Sequence, residues 1–181
     1  VRRPGNRIGV LGLGYLGTHA GRLFLKMGFK VLGWSRSPKK IEGVSCFNGS
    51  EGLDNLLSQS DYLISLLPLT SETENFLDLK TMKRLKKGAY LINVGRGKVL
   101  VEEDLIQAMN EGHLSGACLD VFRQEPLPAN HPFRNHSKIL ITPHNSSSTP
   151  AESVAPQILE NYKNMKKGHP LNNLVDLERG Y

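Results

Sequence analysis

Apolar residues in this chain follow two rhythms. Short continuous runs recur near residues 7–11, 30–34, 43–47, 61–66, 89–93, 116–121 and 138–142. Between most of them, apolar positions return every three or four residues. Runs such as Tyr62-Leu63-Ile64-Ser65-Leu66-Leu67 lack the alternation of a half-exposed strand, so they predict strands buried on both faces. The helical rhythm predicts helices over 15–27, 50–59, 73–86 and 102–111. Strands and helices alternating in this way predict an α/β domain with a doubly wound parallel sheet and helices on both faces.

A last helix has start signals in Thr149 as cap, Pro150 in the first helical position and Glu152 placed to close a capping box. Pro156 predicts a kink or a delayed start, and Gly168 followed by Pro170 ends the helix before an irregular tail, 171–181. The connection 121–137 carries no helical rhythm. Connections of that length in compact domains are usually functional or disordered, and this one holds Glu125 stiffened by Pro126 and Pro128.

The first strand runs straight into Gly12-Leu13-Gly14-Tyr15-Leu16-Gly17 and then into a helix carrying Leu16, Ala20, Leu23, Phe24 and Met27 up to Gly28. A Gly-x-Gly-x-x-Gly turn alone is weak evidence in a chain with 18 glycines. Between a strand and a helix it predicts a dinucleotide site of Rossmann type. Gly12 allows the sharp turn, Gly14 lets backbone approach a pyrophosphate, and Gly17 lets helix and strand pack closely. The anion would sit on the helix N-terminus, with Tyr15 and Leu16 beside it.

An NAD site would place a carboxylate at the end of the second strand, against the ribose 2′-hydroxyl. Here that strand ends in Ser35-Arg36-Ser37. A guanidinium between two hydroxyls suits a 2′-phosphate, so NADP is expected as cofactor, with NAD second. The bland alternative for Arg36 is a solvated loop arginine.

Composition narrows the classes. At 181 residues and 39% hydrophobic, one substantial core and one large domain fit. The net charge of +6 comes from 23 Lys and Arg against 17 Asp and Glu scattered along the chain, with pairs at Lys39-Lys40, Lys86-Lys87 and Lys166-Lys167. Such scatter points to an anionic cofactor and substrate rather than nucleic acid. Cys46 and Cys118 lie in apolar runs, so neither disulfide framework nor metal site is expected, and a reducing cytoplasm is. No apolar run predicts a membrane span or a signal peptide. The chain opens at Val1, almost at the fingerprint, and reads as a processed, cloned or fragmentary piece.

In open α/β sheets ligands bind beyond the carboxyl ends of the strands. Arg96 follows the strand ending in Asn93-Val94, Glu125 lies on the loop after Asp120-Val121-Phe122, and His144 follows Leu140-Ile141-Thr142-Pro143. This set suits reduction of a 2-oxo acid. The substrate carboxylate needs a fixed guanidinium, and the carbonyl oxygen needs a proton as hydride reaches carbon. Arg96 can anchor the carboxylate and polarise the carbonyl, while His144 is the natural acid. A nearby Glu125 would favour the imidazolium and orient the ring. Singly, each also has a structural explanation: a helix-capping Arg, a hydrogen-bonded His, an exposed Glu.

These segments resemble the D-isomer-specific 2-hydroxyacid dehydrogenases. The resemblance rests on GLGYLG, Trp34-Ser35-Arg36, LLPLTSET at 66–73, LINVGRG at 91–97, LDVFRQEPLP at 119–128, TPH at 142–144 and the closing VDLERGY. It implies that Arg96, Glu125 and His144 match the family's catalytic Arg, Glu and His, and that Asp120 lies near the nicotinamide. Leu67 and Pro68 match a strand end lining the adenosine side of the cofactor, and Asn93 and Val94 lie where the family's chain passes the nicotinamide ribose. Ser35 and Arg36 resemble the NADP-preferring members. The resemblance further implies reduction of 2-oxo acids such as glyoxylate or hydroxypyruvate, and a homodimer.

Two features depart from the pattern. Asn145-Ser146-Ser147-Ser148 stands where the family tends to place small apolar residues, and the substrate domain that precedes the fingerprint in the family is absent. Residues 1–168 are therefore expected to form the NAD(P)-binding domain and 169–181 a tail that would pack on the absent substrate domain. The chain alone is expected to bind cofactor with weak or no turnover. Two other readings stay open: a cofactor-sensing, corepressor-like binding protein, and a truncated remnant without catalysis.

Overall fold

In the computed structural model, which describes residues 6–147 and 149–176, seven strands form one sheet, every pair parallel. They are β1 (Arg7–Leu11), β2 (Lys30–Trp34), β3 (Val44–Phe47), β4 (Tyr62–Ser65), β5 (Ala89–Asn93), β6 (Leu114–Leu119) and β7 (Ile139–Ile141), in the order β3-β2-β1-β4-β5-β6-β7. The chain moves outward from β1 to β3, then returns to the other side of β1 at β4. The carboxyl end of β1 therefore lies at the point where the winding reverses, which is where open α/β sheets hold ligands.

Side chains alternate across the sheet and feed two cores. On one face Leu11, Leu32, Leu63 and Leu91 pack with α2 (Gly49–Leu57), α3 (Leu79–Lys83) and α4 (Glu102–Asn110), through Leu53, Leu57, Met82 and Leu105. On the other, Ile8, Val10, Val31 and Ile64 pack with Phe24 and Leu25 of α1 (Tyr15–Lys26). The doubly wound sheet with helices on both faces is thus present.

Three expectations need correction. The helix predicted over 73–86 is confined to α3. Upstream, Asn75 takes a positive φ of 58°, Leu77 bridges Leu100, and the Asp78 carboxylate caps the start by accepting from the Thr81 amide at 2.7 Å. The apolar stripe predicted on α1 is buried only in part: Ala20 and Phe24 are half-buried, Leu16, Leu23 and Met27 are exposed, and Gly17 and Gly21 are the fully buried positions. Glycines bring the first two turns of this helix close to the sheet, and of its larger side chains Phe24 and Leu25 pack against the core while Leu16, Leu23 and Met27 stay outside.

The third concerns the last helix, α5 (Ala151–Lys166). Pro150, not Thr149, is its N-cap, and no side chain caps it. Ser153 instead turns back to donate to the Pro150 carbonyl at 2.8 Å. The helix neither starts late nor stops at Pro156 but continues to Lys166, where Gly168 adopts φ 68°.

The chain divides into two compact units, Val1–His144 and Asn145–Tyr181, so α5 groups with the tail rather than with the sheet. Within the second unit Asn161 clamps Asn172, donating to its carbonyl at 3.0 Å and accepting from its amide at 2.8 Å. From residue 177 onward the closing VDLERGY motif, and with it part of the tail, lies outside the described residues, as does Ser148.

Candidate cofactor and catalytic site

The turn after β1 is shaped by what its glycines lack. Gly12 sits at φ 96°, a left-handed conformation, and a Cβ there would stand 2.9 Å from the Leu66 carbonyl oxygen. A Cβ on Gly17 would stand 1.8 Å from the Gly12 carbonyl oxygen. Gly14 is the opposite case: nothing lies within 4 Å of the position its Cβ would take. The start of α1 carries no capping side chain and no acidic residue in its first turn, and Tyr15 and Leu16 beside it are 89% and 57% exposed. An open backbone approach at a helix N-terminus without a competing carboxylate fits a pyrophosphate.

Strand ends on either side complete this rim. After β2, the buried Ser35 donates through its hydroxyl to the Ser37 carbonyl at 2.8 Å, fixing the turn that carries Arg36. Arg36 is half-exposed and pairs with Glu72 at 3.0 Å. After β4, Leu67 is buried, and the Pro68 carbonyl accepts from the Thr73 hydroxyl at 2.6 Å.

The loop after β5 is built on Asn93, which is fully buried. Its side chain accepts from the Gly95 amide and donates to the Arg96 carbonyl, both at 3.2 Å, while the Val94 amide donates to Ser65 across the strand pair. Arg96 leaves this loop exposed, its guanidinium on the Gly95 carbonyl at 2.8 Å. A Cβ on Gly97 would stand 1.9 Å from the Phe122 carbonyl group. Glycine there lets the Arg96 loop rest on the backbone that leads from β6 to Glu125.

After β6, Asp120 is buried, with its carboxylate accepting from the Thr142 hydroxyl at 2.5 Å and its amide donating to the Asn93 carbonyl at 3.0 Å. Glu125 accepts twice: from the Phe122 amide at 2.9 Å and from Nδ1 of His144 at 2.7 Å. His144 itself holds φ 52°, a left-handed conformation tolerated by histidine at a cost of order 1 kcal/mol. A carboxylate can only accept, so Nδ1 carries a proton and Nε2 is the nitrogen left to face a reactant. Burial pushes the Glu125 carboxyl up, with Asp120 adding slightly. The hydrogen bonds from His144 and Phe122 outweigh this and leave it below its ordinary value.

The structure thus brings Glu125 and His144 into contact and places Arg96 on the adjoining loop of the same sheet edge. It also contains supports with no local sequence signal. The Arg123 guanidinium reaches Asn75 at 2.7 Å and the carbonyls of Lys98 and Leu100. Buried Glu102 accepts from the Arg123 amide at 3.0 Å and lies 3.3 Å from His131. Their partners are 21 to 48 residues away in sequence, so no spacing rule finds them. Thr142 is different: it stands two residues before His144, on the same strand end, and that rule would have found it.

Residues 2–146 match the family model for the D-isomer specific 2-hydroxyacid dehydrogenase NAD binding domain. The chain belongs to the D-isomer-specific 2-hydroxyacid dehydrogenases. A family member named glyoxylate/hydroxypyruvate reductase A, from Photorhabdus laumondii, is 43% identical over 174 residues, covering 96% of this chain and 56% of that protein. The chain spans a little over half the length of such curated relatives.

Among solved members, a D-isomer specific 2-hydroxyacid dehydrogenase from Xanthobacter autotrophicus in complex with NADPH and MES superposes with a TM-score of 0.96 at 45% identity, covering 99% of this chain and 75% of that one. An NADPH-dependent glyoxylate/hydroxypyruvate reductase from Sinorhizobium meliloti, in complex with NADP and sulfate, gives 0.94 at 35% identity, covering 100% and 60%. Among the described residues of this dehydrogenase domain, no helix is long and apolar enough to cross a membrane, and no cluster of three potential metal ligands occurs.

Proposed function

We propose that this chain is the cofactor-binding portion of an NADPH-dependent 2-hydroxyacid dehydrogenase that reduces small 2-oxo acids such as glyoxylate or hydroxypyruvate. The observation that carries the catalytic half is the 2.7 Å contact between Glu125 and Nδ1 of His144. It leaves Nε2 as a proton donor at the edge of the sheet where cofactor and substrate meet.

NADP would be held by the Gly12-Gly14-Gly17 turn at the start of α1, with Tyr15 and Leu16 along the pyrophosphate. Ser35, Arg36 and Ser37 would hold its 2′-phosphate, Leu67 and Pro68 would border the adenosine, and Asn93, Val94 and Asp120 would border the nicotinamide end. When bound, the cofactor supplies the hydride. Arg96 grips the substrate carboxylate and withdraws charge from the carbonyl. His144 hands its Nε2 proton to the carbonyl oxygen, and Glu125 keeps the ring aimed and compensates its charge. Residence in the cytoplasm and pairing into a homodimer belong to the same reading, supported by two free cysteines and by the family resemblance.

The deciding measurement is a fluorescence titration of NADPH and NADH against the chain and its Arg36→Ala variant. NADPH should bind more tightly than NADH to the wild type, and Arg36→Ala should remove most of that preference. Equal affinities in both proteins would remove the phosphate-reading role of Arg36; absence of binding by either nucleotide would remove the cofactor assignment.

A further inference from the structure

Arg36 meets a carboxylate before it can meet a phosphate. Its Nη1 lies 3.0 Å from Oε2 of Glu72, and the two side chains are 49% and 65% exposed. Arg36 leaves the end of β2 and Glu72 lies on the loop after β4. Those strands flank β1, so the ion pair joins the two loops that border the glycine turn.

The backbone that carries Glu72 is held without Arg36. The Thr70 amide donates to the Thr73 hydroxyl at 2.8 Å, that hydroxyl donates to the Pro68 carbonyl at 2.6 Å, and the Glu74 amide donates to the Thr70 carbonyl at 2.9 Å. This turn, closed on itself around residues 70–74, presents the carboxylate to Arg36. A 2′-phosphate carries nearly twice the charge of a carboxylate and three acceptor oxygens, so it displaces a solvent-exposed carboxylate from a guanidinium. The displaced group, however, stays on its turn, within the field of the new phosphate.

We propose that Glu72 is a specificity-determining residue that competes with the cofactor's 2′-phosphate for Arg36, lowering affinity for NADP(H) while leaving NAD(H) little affected. This rests on the cofactor reading above, with Arg36 as the phosphate ligand. It follows that the carboxylate missing from the end of β2 is present on the neighbouring loop, where it weakens discrimination between the two cofactors without reversing it.

The test is a set of NADPH and NADH titrations at low and high salt on wild type, Glu72→Gln, Arg36→Ala and the double variant. Glu72→Gln should tighten NADPH by roughly two- to fivefold, the range of one exposed ion pair, and move NADH by less. The gain should shrink in high salt and in the Arg36→Ala background. Should Arg36→Ala abolish the NADPH preference while Glu72→Gln leaves NADPH affinity unchanged or weaker, the competition is refuted and the cofactor reading stands. If neither wild type nor Glu72→Gln prefers NADPH, the phosphate-reading role of Arg36 and the competition fall together.

Discussion

Glu125 is placed by two donors that come from different directions, the Phe122 amide of its own loop and the imidazole of His144. If the proposed function holds, replacing His144 with Asn removes the proton donor, and whatever glyoxylate reduction the chain supports, followed by NADPH oxidation, should fall by roughly 10²-fold or more while NADPH affinity holds. The same scale governs the acid limb of stability. Asp61 is partly buried, which raises its carboxyl. Hydrogen bonds from Lys86 and the Arg7 amide lower it more, so the net shift, as for Glu125, is downward. A carboxyl depressed in the folded state stabilises above its unfolded value, and that contribution disappears as pH falls through the folded one. Urea unfolding between pH 7 and pH 3 should therefore show a steeper acid loss in wild type than in Asp61→Asn, which gives up about 1 kcal/mol at neutral pH.

Among the elements, α1 and the loop 121–137 behave differently under substitution. Gly17→Ala drives a methyl against the Gly12 carbonyl, a backbone group with no freedom to move aside, and should cost about 2–3 kcal/mol in chemical denaturation. Gly14→Ala meets open space at an ordinary φ of −71° and should leave stability within about 0.5 kcal/mol. It should still weaken NADPH binding, by roughly tenfold if one close backbone approach worth 1.4 kcal/mol is lost. In the long loop, Glu102→Gln removes the charge that meets His131. Amides of 121–131 should then exchange with deuterium faster, by about tenfold, while those of β1 and β4 stay protected. That outcome would mark Glu102 as a positioning residue for the segment carrying Glu125.

At the scale of the whole molecule, buried parallel strands are continuous apolar runs, which is why all seven lie within two residues of where the apolar pattern put them. The strand-end rule also reached Glu125 and His144, 19 residues apart and in contact. Helices were harder to read. The apolar spacing over 73–78 is used for a turn and a bridge to Leu100, and the contact of α1 at Gly17 and Gly21 has no hydrophobic signature because close backbone approach replaces side-chain burial at those two positions. The supports of the site, Arg123 and Glu102, bind segments brought together only by the winding of the sheet.

Arg96, Glu125 and His144 descend from three adjacent strands whose ends are aligned as Asn93, Leu119 and Ile141. Each strand contributes one group, so their mutual spacing is inherited from the pairing of β5, β6 and β7. One residue inserted within β6 would advance its end by about 3.3 Å and turn its side chains to the opposite face. One inserted between β2 and β3 would leave all three where they are. Length variation in this protein is therefore tolerable between β2 and β3 and disruptive within β5, β6 and β7, and an engineer lengthening the chain should cut at the exposed residues 38–40, ahead of the buried Ile41.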